Sequence, residues 1–216
     1  MLHGIDISHW QRSINISNIN CDFIIIKATQ GYNHVDDCFK NFTDTALRTG
    51  KKIGLYHYFD DTAEPETQAI FFVNTVQKYI GKAILVLDWE KYGNSFFSLG
   101  QEIAIIFLDK VYELTGVRPL IYMSKSVTRD YKWDKVVSKS YGLWVAQYKN
   151  RKKVNGFLST PWTDNKGIGD FKLTAIFQYT SNGHINGYKG NLDLDIAYMT
   201  KNAWDKYAKS SISNIN

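Results

Sequence analysis

Short apolar runs alternate with helical patterns from end to end of this chain, and that alternation narrows the fold to a parallel α/β architecture. Eight runs read as strands, over residues 2–8, 22–28, 52–58, 83–89, 119–123, 142–147, 175–179 and 192–194. Phe23-Ile24-Ile25-Ile26 and Ile84-Leu85-Val86-Leu87 are apolar at every position, as expected of parallel strands covered on both faces. Helices fit over residues 37–49, 64–80 and 99–114, each stopping before a glycine (Gly50, Gly81, Gly116) placed where a positive φ ends a helix. The last of them sets Ile103, Ile106, Phe107 and Val111 on one stripe. Over 131–140 and 149–170 the helical signal fades. Eight strands with degenerate late helices predict an irregular, TIM-like β/α barrel. With 216 residues, 44% of them hydrophobic, the chain can bury one full core. It reads as a single domain over 1–208 with a polar tail over 209–216.

The polar residues fall where such a barrel would use them. The predicted strands end, in order, at Asp6; at Lys27, Thr29 and Gln30; at His57 and Tyr58; at Asp88 and Glu90; then at Tyr122, Gln147, Gln178 and Asp193. In a β/α barrel these ends converge on one mouth, where active sites of that architecture sit.

Asp88-Trp89-Glu90 is the sharpest local signal. Side chains two apart on a strand share a face, roughly 7 Å apart along it. Like charges that close resist joint ionisation, so one of the two pKa values rises. A carboxylic acid still protonated near neutral pH can protonate a glycosidic leaving oxygen, while its ionised partner supports positive charge at the anomeric carbon. An Asp-x-Glu pair by itself is usually a solvated turn. Here it follows Ala83-Ile84-Leu85-Val86-Leu87, which must be buried, so the pair is delivered to a strand end.

Other chemistries find no support in the sequence. It carries no zinc spacing, nucleophile-elbow serine, Walker loop or dinucleotide fingerprint, so neither metal nor cofactor is expected. The net charge of +5 favours anionic surroundings, but no nucleic-acid module is recognisable. The basic run Lys149, Arg151, Lys152 and Lys153 reads as a solvated loop. Cys21 and Cys38 read as two buried thiols rather than a bridge, and no apolar run is long enough to span a membrane. The aromatic share of 15% exceeds what a bland domain needs; aromatic faces fill cores and also stack on sugar rings. Tyr58, Trp144 and Tyr179 are groove candidates on that ground, with core packing an open alternative for Trp144.

At these same residues the chain resembles glycoside hydrolase family 25, the Chalaropsis-type lysozymes that include many phage endolysins. The resemblance is carried by Gly4-Ile5-Asp6-Ile7-Ser8-His9-Trp10-Gln11, Phe23-Ile24-Ile25-Ile26-Lys27-Ala28-Thr29, Gly54-Leu55-Tyr56-His57-Tyr58-Phe59 and Leu87-Asp88-Trp89-Glu90. It continues through Leu120-Ile121-Tyr122, Leu143-Trp144-Val145-Ala146-Gln147-Tyr148, Gln178-Tyr179-Thr180-Ser181 and Gly190-Asn191-Leu192-Asp193-Leu194, to about Tyr198. It implies hydrolysis of the β-1,4 bond from N-acetylmuramic acid to N-acetylglucosamine in bacterial walls. By position Glu90 resembles the general acid, and Asp88, Asp6 and Asp193 the supporting carboxylates. Gln30, Tyr58, Tyr122, Trp144, Gln147, Gln178 and Tyr179 are the expected substrate contacts. Two departures stand out. Thr29-Gln30-Gly31 replaces the usual Thr-Glu-Gly, and Asp195 stands where the family commonly has asparagine.

The expected partners are peptidoglycan strands and anionic wall polymers, met by a monomer. The chain's start lacks the basic and apolar pattern of a secretory signal, so synthesis in the cytoplasm and release as a phage lysin is the expectation. The alternatives are a chitinase or N-acetylglucosaminidase on the same barrel, or a wall-glycan-binding module without turnover.

Overall fold

The computed structural model describes residues 1–212. Ten strands form one sheet: β1 (Leu2–Ile7), β2 (Phe23–Gln30), β3 (His34–Val35), β4 (Lys52–Tyr58), β5 (Ala83–Asp88), β6 (Leu120–Ser124), β7 (Gly142–Ala146), β8 (Val154–Asn155), β9 (Ile176–His184) and β10 (Leu192–Ala197). Eight of them close on themselves in the order β1-β10-β9-β7-β6-β5-β4-β2, with β1 pairing β2 to seal the barrel. Short β3 and β8 are appended to β2 and β9.

One expectation is corrected here. β10 is not a final parallel strand; it runs antiparallel to both β9 and β1. The connection from β9 is too short for the helical crossover a parallel strand requires, so the chain turns straight back as a hairpin. Asp193 therefore lies near the start of β10. It still reaches the mouth, because an antiparallel strand brings its first residues there.

Helices α1 (Phe39–Arg48), α2 (Pro65–Val76) and α3 (Gln101–Thr115) follow the first half of the barrel, close to their expected ranges. Each buries one stripe against the sheet. In α3 that stripe is Ala104, Phe107, Leu108 and Val111, and Ile106 lies outside it, exposed. Gly116 ends α3 at φ 65°, its N–H donating to Tyr112 O at 2.8 Å, the left-handed cap that only glycine adopts without strain. The later helices α4 (Lys125–Asp130) and α5 (Asp134–Ser138) are short, and β7 leads to β9 through a long segment holding only β8. Ser210 and Ser211 of the tail hydrogen-bond Thr115 O and Gly116 O at the end of α3; residues 213–216 lie outside the described residues. Cys21 and Cys38 are unpaired and half-buried, and no described helix is long and apolar enough to cross a membrane.

Strand alternation separates two cores. Outward residues such as Ile24, Ile26, Leu55, Leu85 and Leu87 pack under the helices. Inward residues Leu2, Phe23, Ile25, Ile84, Val86, Leu120 and Ile176 fill the lower barrel. Gly4 belongs to that inner layer: a Cβ there would stand 2.4 Å from the Phe23 ring, so glycine is what lets Phe23 cross the floor. A further helix, α6 (Lys201–Ala208), closes the bottom, capped by Thr200. Its fully buried Trp204 lies 4.7 Å from the Phe23 ring and donates to Ile53 O at 3.2 Å.

Candidate active site

The inward positions change character towards the top of the barrel. On β5, Ile84 and Val86 are followed on the same face by Asp88, then by Glu90 just beyond the strand; on β2, Phe23 and Ile25 are followed by Lys27. On β9, Ile176 is followed by Gln178. The result is a cleft of about 260 Å³ lined by all four expected carboxylates, Asp6, Asp88, Glu90 and Asp193, together with Tyr58, Tyr122, Trp144 and Gln178.

Three expected contacts lie elsewhere, and each has a geometric reason. Tyr179 is one residue on from Gln178, so it faces out; it is 5% exposed in the outer core, and its hydroxyl accepts from Leu158 N. Gln147 lies outside this cleft and lines the adjoining one beside Glu90. Its amide is committed to the 149–170 segment, donating to Asp164 Oδ2 at 2.7 Å and accepting from Thr163. Gln30 sits at the margin, accepting from Lys27 Nζ at 2.7 Å and donating to Asp60. Where the family places a glutamate, this amide holds the lysine without adding a charge.

Seven cleft residues stand outside the expected set: Ile7, Ser8, Trp10, Gln11, Lys27, Tyr56 and Tyr148. Trp10 is 80% exposed and presents its indole at the rim; Tyr56 and Tyr148 line the wall. Lys27 is buried, 4.8 Å from the Tyr58 ring, and is the cation opposite Asp88 and Glu90. Its signal was legible, since a lysine inside an apolar strand needs a partner. Tyr148 was legible too, two positions beyond Ala146. His57 points away from the cleft into the outer core, between Thr29 Oγ1 (2.8 Å) and Gln68 Oε1 (3.0 Å), and burial pulls its pKa down to about 4.

The walls of the cleft are a hydrogen-bond network. Gln178 Nε2 donates to Asp6 Oδ2 at 2.7 Å, and Gln178 Oε1 accepts from the hydroxyls of Tyr122 and Tyr148. Trp144, packed 4.5 Å from the Tyr122 ring, donates from Nε1 to Asp195 Oδ1 at 2.9 Å. That bond resolves the Trp144 alternatives: the ring is buried wall with one edge on the cleft. Asp195 is fully buried, and its Oδ2 has no hydrogen-bond partner. Burial first, and the charge of Asp195 second, hold the Asp6 carboxyl well above the usual range, and burial does the same to Asp195, so the two resist joint ionisation.

Burial first, and the charge of Glu90 second, hold the Asp88 carboxyl well above the usual range, with Lys27 opposing. Glu90 is raised by burial, again against Lys27. Burial, then Asp6 and Glu90, push Asp193 up to about 8. A site of this kind holds protons on carboxyl groups at neutral pH, which is the requirement for general-acid chemistry.

Residues 5–188 match the profile of Glycosyl hydrolases family 25. The chain is similar to an autolytic lysozyme of Clostridium acetobutylicum, 30% identical over 90% of this chain and 55% of that protein. It is also similar to the uncharacterized protein YegX of Escherichia coli, 27% identical over 90% of this chain and 69% of that one. Among solved structures, the bacterial lysozyme from Streptomyces coelicolor superposes with a TM-score of 0.76 over 96% of both chains at 23% identity, a likeness of fold. With the profile spanning most of the barrel and its four acids gathered in one cleft, the chain belongs to glycosyl hydrolases family 25.

Proposed function

We propose that this glycoside hydrolase is a muramidase, cutting the β-1,4 bond from N-acetylmuramic acid to N-acetylglucosamine in peptidoglycan. The observation that carries the reading is the joint placement of Asp88 and Glu90 in one buried cleft with Asp6 and Asp193. Glu90, less buried than Asp88, meets the leaving oxygen and gives it a proton; as Glu90 ionises, Lys27 offsets the new charge. Asp88 faces the opening anomeric carbon, either supporting its positive charge directly or polarising the substrate's N-acetyl group. Asp193 and Asp6 orient the sugar, Asp6 through the Gln178 network. Tyr58 and the exposed face of Trp10 supply stacking surface. The net positive charge supports attraction to anionic wall polymers, and action on the wall as a released lysin fits the same chemistry.

Reducing-end analysis of digested walls tests the bond assignment. New N-acetylmuramic acid ends are expected; N-acetylglucosamine ends would replace the muramidase with an N-acetylglucosaminidase, and no ends at all would leave a binding module.

A further inference from the structure

A second cleft, about 540 Å³, opens from the catalytic one across Glu90, Tyr122 and Tyr148, which line both. Its charge is opposite. Lys125, Arg129 and Arg151 line it, and Glu90 is the one carboxylate among its lining residues. Arg151 comes from the basic run that the sequence presents as a solvated loop.

The three cations are not equivalent. Lys125 is fully engaged, with Asp164 Oδ1 at 2.7 Å and Thr163 Oγ1 at 2.8 Å. Arg129 is held more loosely: the Asp164 carboxylate stands 3.6 Å from its Nη1, beyond hydrogen-bond distance, and the rest of its side chain stays partly exposed on the cleft. A guanidinium with no carboxylate within hydrogen-bond distance keeps donors free for an incoming anion. Its planar fork suits a carboxylate. The neighbouring cleft, lined by four carboxyl groups and one lysine, offers an anion little purchase. A substrate carrying a carboxylate beside the scissile bond needs a local cation to settle there.

We propose that this side cleft receives a carboxylate borne by the muramic acid residue next to Glu90, on its lactyl group or on the peptide joined to it, with Arg129 and Arg151 as partners. The inference rests on the muramidase reading and extends it: the side cleft is what distinguishes a muramyl strand from a chitin-like one, which has no carboxylate to offer.

The test compares soluble peptidoglycan strands with the same strands after their carboxylates are capped as neutral methylamides. The parent should cut uncapped strands with about tenfold higher kcat/KM, the difference residing in KM. The Arg129→Gln/Arg151→Gln double variant should show no such preference. Because the ratio is taken within one preparation, loss of folded protein cancels from it. Amidase-stripped strands, which keep only the lactyl carboxylate, then identify which carboxylate binds. Equal cutting of capped and uncapped strands by the parent, or a preference that survives in the double variant, overturns the proposal. If the parent cuts neither substrate, it is the muramidase reading that fails.

Discussion

The floor and the mouth of this barrel are built on the same strands, yet one is hydrocarbon and the other a cluster of acids. Two residues along β5 separate Val86 from Asp88, and two along β2 separate Ile25 from Lys27. At the floor, Phe23, Ile84, Leu120 and Trp204 exclude water without any competing demand. At the mouth the same exclusion holds Asp6, Asp88, Asp193 and Asp195 away from solvent, where their charged forms are penalised. The contrast teaches that burial stabilises one half and activates the other. The floor contributes the stability that the mouth consumes.

Substitutions can break this division from either side. The largest effect is expected at the floor: Trp204→Ala should lower unfolding free energy by about 3–5 kcal/mol, the cost of an emptied aromatic site. Activity per folded molecule should stay near the parent's. Denaturant titration beside lysis assays checks both, and a matching collapse of turnover would mean that floor and mouth are not separable.

Next in size is Glu90→Gln, which removes the proposed acid while keeping its shape. Lysis of purified walls should fall at least 100-fold, about 2.7 kcal/mol of barrier, with no loss of stability. A variant that lyses as fast as the parent would remove Glu90 from the mechanism.

Smaller again are Asp88→Asn and Asp193→Asn, each expected to lose at least tenfold in rate, about 1.4 kcal/mol. Asp193 also sharpens the comparison through pH. Its folded pKa, about 8, lies above the ordinary 3.8, so the folded protein keeps a proton that the unfolded chain releases. The stability this gives is full below about pH 4 and is lost as pH rises through 8. Asp193→Asn should therefore lose less Tm than the parent between pH 5 and pH 8. Parallel melting curves in the two proteins would contradict the burial argument.

Much of this was legible in the chain itself. The apolar runs located all eight barrel strands, and the glycines placed the ends of α1 and α3. The polar strand ends marked the four acids of the cleft. Alternation, applied strictly from Trp144 and Gln178, would also have placed Tyr179 in the outer core and admitted Tyr148 to the cleft. At Gln30 parity alone does not serve, because β2 slips register against β4 between Lys27 and Thr29. That irregularity turns Thr29 outward to His57 and leaves no trace in the residue types. Short α4 and α5, and the floor helix α6, span too few turns to show a clear stripe.

By itself the sequence determined which residues must avoid water and with what period, because that follows from side-chain chemistry and backbone geometry, both local. It thereby fixed the strands, their faces and the acids at their ends. Only the tertiary structure decided that β10 returns antiparallel, that Asp193 pairs opposite Asp6 from the far end of the chain, and that Arg129 opens onto a cleft beside Glu90. Those depend on barrel closure, and the contacts that closure creates join residues whose spacing along the chain carries no record of their distance in space.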